Sequence, residues 1–159
     1  MVISAATVSL YSAGYSSNAL GNSNLVIVVS TQSNANNLVV GDFSSVGNVS
    51  FGSISYASWS NSGYNAIALN ASGISAITKA GITKFASILE WDRAGSFSGS
   101  WLSRGTSFYS ILQADNGSNA PKLVVTYTAA TAYTQSLSAS MATMSGLIPK
   151  TASKFLSGS

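Results

Sequence analysis

Cysteine and histidine are both absent from the 159 residues. Without them the usual zinc sites, Ser-His-Asp triads and cysteine nucleophiles cannot be assembled. No disulfide frame exists, and cysteine usage says nothing about redox compartment. Charge is scarce as well: seven basic and four acidic residues make up 7% of the chain, with a formal net charge of +3, against roughly a quarter in an average soluble domain. Asp42 is the single charged residue before Lys79, and the cations Lys79, Lys84, Arg93, Arg104, Lys122, Lys150 and Lys154 stand singly. Counterion release on nucleic acid needs such charges clustered, so no nucleic-acid partner is expected. Phosphate-cradling loops are lacking, four carboxylates are too few for a dedicated calcium cage, and no cofactor or metal is expected. The longest unbroken apolar run, residues 25–29, is far short of the ~20 residues of a membrane span, so membrane insertion is not expected either. The opening "MVISAATVSLYS" has no positive n-region, and a secreted form would owe its export to a cleaved signal, a longer precursor or release with a virion.

What the chain has in quantity is hydroxyl and amide: Ser and Thr fill 44 positions and Asn another 12. These residues favour turns, loops and the outer faces of strands, where Lys and Glu would favour helices. The balance leans towards one all-β core, which the length suits. A surface with few charges is also poorly protected against edge-to-edge association, and so suits life in an assembly.

Ala6, Val8 and Leu10 alternate with Thr7, Ser9 and Tyr11, the period of two of a half-buried strand. "SAGYSSNALGNSN" reads as turn chemistry, and "LVIVVST" as a central strand covered on both faces. A long Asn- and Gly-punctuated connection follows, then loose alternation through Ile54 and Tyr56 that carries Trp59, then a short strand in "NAIALN". Ile74 and Ile77 before a glycine stop suggest one helical turn over an end of the core. "ITKFASILEW" reads as a strand, "DRAGSFSGSWLSRGT" as the most polar loop, "SFYSILQAD" as a strand, and "KLVVTYT" as a strand with Leu123, Val125 and Tyr127 inward. Short strands between Gly and Asn turns predict a β-sandwich, of jelly-roll type, over residues 1–128, with 129–159 as a C-terminal extension.

The run from "ISAATVSLY" through "SFGSISYASWSNSGYNAIALNASGISAITKAGITKF" to "APKLVVTYT" resembles the DNRLRE-type family of carbohydrate-binding-module-like β-sandwiches of bacterial surface and phage-like structural proteins. The resemblance covers roughly residues 2–128. It implies a non-enzymatic adhesion, spacer or sugar-contacting module. Members of that family usually carry one or more strands ahead of the counterpart of "ISAATVSLY", so the resemblance also implies either a fragment or processed form, or a gap in the sandwich to be filled by something else.

The extension offers a filler. Leu137, Ala139 and Met141 alternate with Ser136, Ser138 and Ser140, and a shift near Thr143, as at a bulge, brings in Met144, Leu147 and Ile148. "SLSAS" at 136–140 and "FLSGS" at 155–159 repeat weakly, at a period of 19. A lone strand must join its own sheet or a neighbour's. Ordering about ten residues costs on the order of 15 kcal/mol. Some eight ladder hydrogen bonds return roughly 8 kcal/mol, and four large apolar side chains about another 8 kcal/mol. The donor alone breaks even, and insertion is favoured where it also covers apolar surface left open on the acceptor. Exchange between copies of the chain would be head-to-tail and would propagate into a filament. The competing readings of the extension are self-insertion, giving a monomeric module, and a linker.

Few residues invite a chemical role. Glu90 and Asp92, at i and i+2, would share one face of a strand and could hold Ca²⁺ or act on a glycosidic bond; the plainer reading is a solvated strand end with Arg93 as partner. Trp59, Trp91 and Trp101 are the candidates for a platform that stacks on a sugar; Trp59 reads as core, and Trp101, flanked by Ser100, Ser103 and Arg104, is the foremost of them. Trp101 and Arg104 are thus the candidate glycan contacts, with interface packing the competing use. The sequons at Asn48, Asn70 and Asn116 match chance expectation for this composition. The sequence is therefore read as a structural, non-enzymatic filament subunit, extracellular, at a cell surface or virion-associated. Its partners would be other copies of itself. The alternative is a monomeric carbohydrate-binding or adhesion module with surface glycans as partners.

Overall fold

A computed structural model describes residues 1–34, 37 and 39–129. Met1–Ala129 forms a compact unit, built from seven strands and two single-turn helices. In chain order these are β1 (Val2–Asn18), β2 (Leu25–Val29), β3 (Gly52–Ile54), β4 (Tyr64–Ala68), α1 (Ala71–Ser75), β5 (Phe85–Leu89), α2 (Glu90–Ala94), β6 (Ser107–Ile111) and β7 (Lys122–Thr128). Two antiparallel sheets make an all-β sandwich, as the composition and periodicity predict.

The first sheet is organised by β1. Residues 7–11 pair with β4 along one edge; along the other, β7 pairs with residues 2–9 and β6 with residues 12–18. The handover is visible in the backbone, where Ser12 N–H donates to Gly63 O (3.0 Å) on the β4 side and Leu112 N–H to Tyr11 O (2.9 Å) on the opposite side. The second sheet has the order β3-β2-β5.

Alternation in β1 turns Ala6, Val8, Leu10 and Ser12 inward. Ala6, Val8 and Leu10 meet Leu25 and Ile27 of β2, Ile67 of β4, and Phe51, Trp59 and Leu69. β2 can be wholly apolar because both of its faces are covered: Val26 and Val28, on the face away from this core, are also fully buried. Asn65, buried in β4, satisfies both ends of its amide on one residue, accepting from Ser60 N–H at 2.7 Å and donating to Ser60 O at 2.9 Å. The expected helical turn is α1, capped by the Asn70 side chain, which accepts from Gly73 N–H.

Three expectations are corrected. Residues 13–18 are strand, not turn: β1 absorbs a register shift between Ser12 and Ser16, with Gly14 at φ +102°, and then runs on beside β6. Trp59 is in the core but not in a strand; β3 ends at Ile54, and a 3₁₀ turn over Tyr56–Ser58, capped by Ser55 Oγ, delivers the indole inward. On β7, Leu123 and Tyr127 are 41% and 57% exposed. Their faces follow the expected alternation, since Leu123 pairs with Val8 and Val125 with Ala6, but β5 does not extend over them. The proposed assembly strand (Leu137, Ala139, Met141, Met144, Leu147, Ile148) lies outside the described residues.

Candidate functional site

Two features stand out, one on each side of the β3-β2-β5 sheet. The first is the open flank of the sandwich. Among the described residues β7 pairs only with β1, and β5 only with β2, so each sheet presents a free edge on this flank. Between these edges lies an apolar crevice of about 740 Å³, reaching core residues Val8, Leu10 and Ile27 and rimmed by Phe85, Ile111 and Leu123. Its walls are the inward faces of the two sheets: Phe85 and Ser87 pair with Val29 and Ile27, opposite Leu123 beside Val8.

The second feature lies on the outer face. Val26 and Val28 pair with Ile88 and Ala86 there, and the chain from Glu90 onward folds over them. Glu90 and Asp92 stand on α2, not on a strand, which corrects the shared-face reading: side chains two apart on a helix diverge by about 200°. The local sequence dictates this helix, with acids in its first turn, Arg93 in its last, and Gly95 as a left-handed cap at φ +62°. Glu90 is occupied. Arg93 Nε donates to Glu90 Oε2 at 2.7 Å, the pair is bidentate, and Arg93 Nη1 also donates to Asn48 O at 2.9 Å. The hydrogen bond from Arg93 holds the Glu90 carboxyl below the usual range, against a smaller opposing effect of burial.

After the helix three aromatic rings lie in sequence. Phe97 meets Trp91 edge-on, centroids 4.7 Å apart at 69°, and tilts onto Trp101 at 4.5 Å and 40°. Trp91 is fixed by its Nε1–H, which donates to Ser98 Oγ at 2.9 Å. Trp101, at the end of the row, is 80% exposed. The loop is held down by Ser100 N–H donating to Leu20 O at 2.8 Å, a contact that only glycine permits at position 99, where a Cβ would sit 2.0 Å from that same oxygen. Together with Asn48, Ile88 and Arg93 the rings line a crevice of about 830 Å³.

Trp101 is therefore in a site, whereas Arg104 is exposed at a turn with φ +64° and does not line the crevice. Phe97 is the participant that the sequence reading passed over; Trp91 is one of its three candidate tryptophans, and Arg93 is the partner it gives to the acidic pair, found here on Glu90. The signal that could have found Phe97 is the helix-and-stop pattern "EWDRAG", which turns Trp91 back towards "FSGSW". Trp59 belongs to the core, edge-on to Tyr109 at 4.9 Å. Among the described residues no group of three His, Cys, Asp or Glu could hold a metal ion, and no helix is long and apolar enough to cross a membrane. Comparison with protein-family models, with curated proteins and with solved structures finds no match for this chain.

Proposed function

We propose that the protein is a non-enzymatic structural subunit of an extracellular or virion-associated filament, of the DNRLRE-like sandwich type, built by head-to-tail strand donation. Residues 136–148 of one copy would enter the flank crevice of the next, Leu137, Ala139 and Met141 covering Val8, Leu10 and Ile27, with Met144, Leu147 and Ile148 continuing along the rim. The observation that carries this reading is the crevice itself: an apolar channel between two free strand edges, floored by core residues. An incoming strand finds ladder partners and uncovered apolar surface in one place. β7, at seven residues, offers about 23 Å of edge, enough for the alternating part of the donor.

The test is negative-stain electron microscopy of the full chain beside a version ending at Thr128 and beside Met141→Asp. Regular fibres from the full chain alone are expected. Monodisperse particles in all three samples would overturn the proposal.

A further inference from the structure

We infer that the outer-face crevice of Trp91, Phe97 and Trp101 is a binding site for an organic cation whose ammonium nitrogen is methylated, independent of the assembly crevice on the flank. The lining carries two charged residues, Asp92 and Arg93. Arg93 is occupied: Nε donates to Glu90 Oε2 at 2.7 Å, the pair is bidentate, and Nη1 donates to Asn48 O at 2.9 Å. The Asp92 carboxylate, by contrast, has no hydrogen bond and no ion pair among the described residues. Two carboxylates and one guanidinium thus leave the crevice with one negative charge, and the free one of the two stands in its lining.

The aromatic rings reinforce that charge. The face of an indole is the negative side of its quadrupole and attracts a cation within about 6 Å of the ring centre. Phe97 tilts onto one side of Trp101, at 4.5 Å and 40°, yet the indole stays 80% exposed, so its other face is open to a ligand. Trp91, edge-on to Phe97 and fixed by Ser98, and Ile88 extend the apolar wall beside it.

This lining chooses among cations. A metal ion such as Ca²⁺ takes roughly six to eight oxygen ligands, and the crevice offers a single free carboxylate. A primary ammonium is strongly hydrated through its N–H donors, and an apolar wall cannot replace that water. Methyl groups remove the donors, spread the charge and touch ring faces and aliphatic side chains, so a methylated ammonium loses least on leaving water. The crevice, at about 830 Å³, is several times larger than such a group. The cation is therefore one end of a larger molecule, either a free solute or the head group of a lipid.

The experiment titrates the full chain with tetramethylammonium and with choline up to about 50 mM, at a constant ionic strength of about 0.1 M, following tryptophan emission and calorimetry. The control is 3,3-dimethyl-1-butanol, which is choline with carbon in place of the charged nitrogen. Choline is expected to bind in the millimolar range, and the carbon analogue about fivefold more weakly or worse. Trp101→Ala should weaken choline binding by about fivefold or more, while Trp101→Phe should keep most of it. The side chain is on the surface, so both variants should match the wild type in far-ultraviolet circular dichroism. Asp92→Asn should weaken binding by about two- to fivefold. Co-sedimentation with phosphatidylcholine vesicles, lost in Trp101→Ala, would identify a lipid head group as the source; choline binding without co-sedimentation would identify a free solute. Silence from both cations overturns the inference, as does equal binding of the carbon analogue, or binding that survives Trp101→Ala. Fibre formation abolished by Trp101→Ala, with no response to either cation, would overturn it in favour of contact between copies. Met141→Asp should leave choline binding unchanged, so loss of fibres and loss of cation binding are separate results.

Discussion

Tyr109 shows how much one hydroxyl can carry in a chain with so few charges. Its ring stands edge-on to Trp59 and Tyr56, at 4.9 and 5.8 Å, and its O–H donates to Ser23 O at 2.6 Å, tying β6 to the start of the second sheet. Burial holds the proton on, raising the pKa from its ordinary 10.0 to about 12 against a lowering by a Leu25 backbone hydrogen bond, with Tyr56 adding a little. The folded state thus keeps a proton that the unfolded chain gives up at about pH 10. This contribution to stability is whole below pH 10 and is lost as the pH climbs towards 12. Urea midpoints measured from pH 9 to 12 should fall for the wild type, and fall less steeply for Tyr109→Phe, although the variant starts lower for want of its hydrogen bond. Whatever the two proteins share cancels in the comparison. Parallel curves would show that Tyr109 does not carry the alkaline loss.

At the scale of elements, legibility followed the simplicity of the pattern. β2 was readable as an unbroken apolar run covered on both faces, and the first half of β1 because its inward and outward residues alternate with a period of two. The second half of β1 was not: Gly14, Ser16 and Ser17 look like a turn, and only β6, some 90 residues away in the chain, pulls them into a sheet. α2 was readable in principle, since acids, a basic residue and a glycine stop lie in order within "EWDRAG", but five residues of strand pattern ahead of it masked the change. The direction of Leu123 and Tyr127 on β7 was legible and their exposure was not, because alternation says nothing about the width of the opposite sheet. The aromatic row depends on a further non-local fact, the approach of Gly99 to Leu20. Gly99→Ala should therefore lift the loop from its anchor, since the Leu20 carbonyl belongs to backbone and cannot swing aside. The expected cost is on the order of 2 kcal/mol, read as a lower urea midpoint, together with stronger acrylamide quenching of tryptophan and unchanged far-ultraviolet circular dichroism. An unaltered midpoint and unaltered quenching would mean that the anchor does not position the row.

At the scale of the whole molecule, the question is which force joins one copy to the next. Eleven charged residues in 159 and a net charge of +3 leave little for electrostatics to do, and among the described residues the one ion pair, Glu90 with Arg93, lies within a single helix. The flank crevice is lined mostly by apolar side chains, with Lys122 the one charged residue of its lining, and is bordered by backbone edges. Assembly there would rest on burial and ladder hydrogen bonds, neither of which salt screens appreciably. Burial weakens on cooling and strengthens with excluded salts such as sulfate. The critical concentration for fibre formation, measured by sedimentation, should thus change by less than about twofold between roughly 20 and 500 mM NaCl, fall in ammonium sulfate, and rise as the sample is cooled towards 4 °C. A tenfold rise with NaCl would assign the contact to charges, most simply to Lys150 and Lys154 meeting a carboxylate on the neighbour. Insensitivity to sulfate and to cooling would instead place the contact on polar surface outside the crevice, and strand donation would fail as the mechanism even if fibres form.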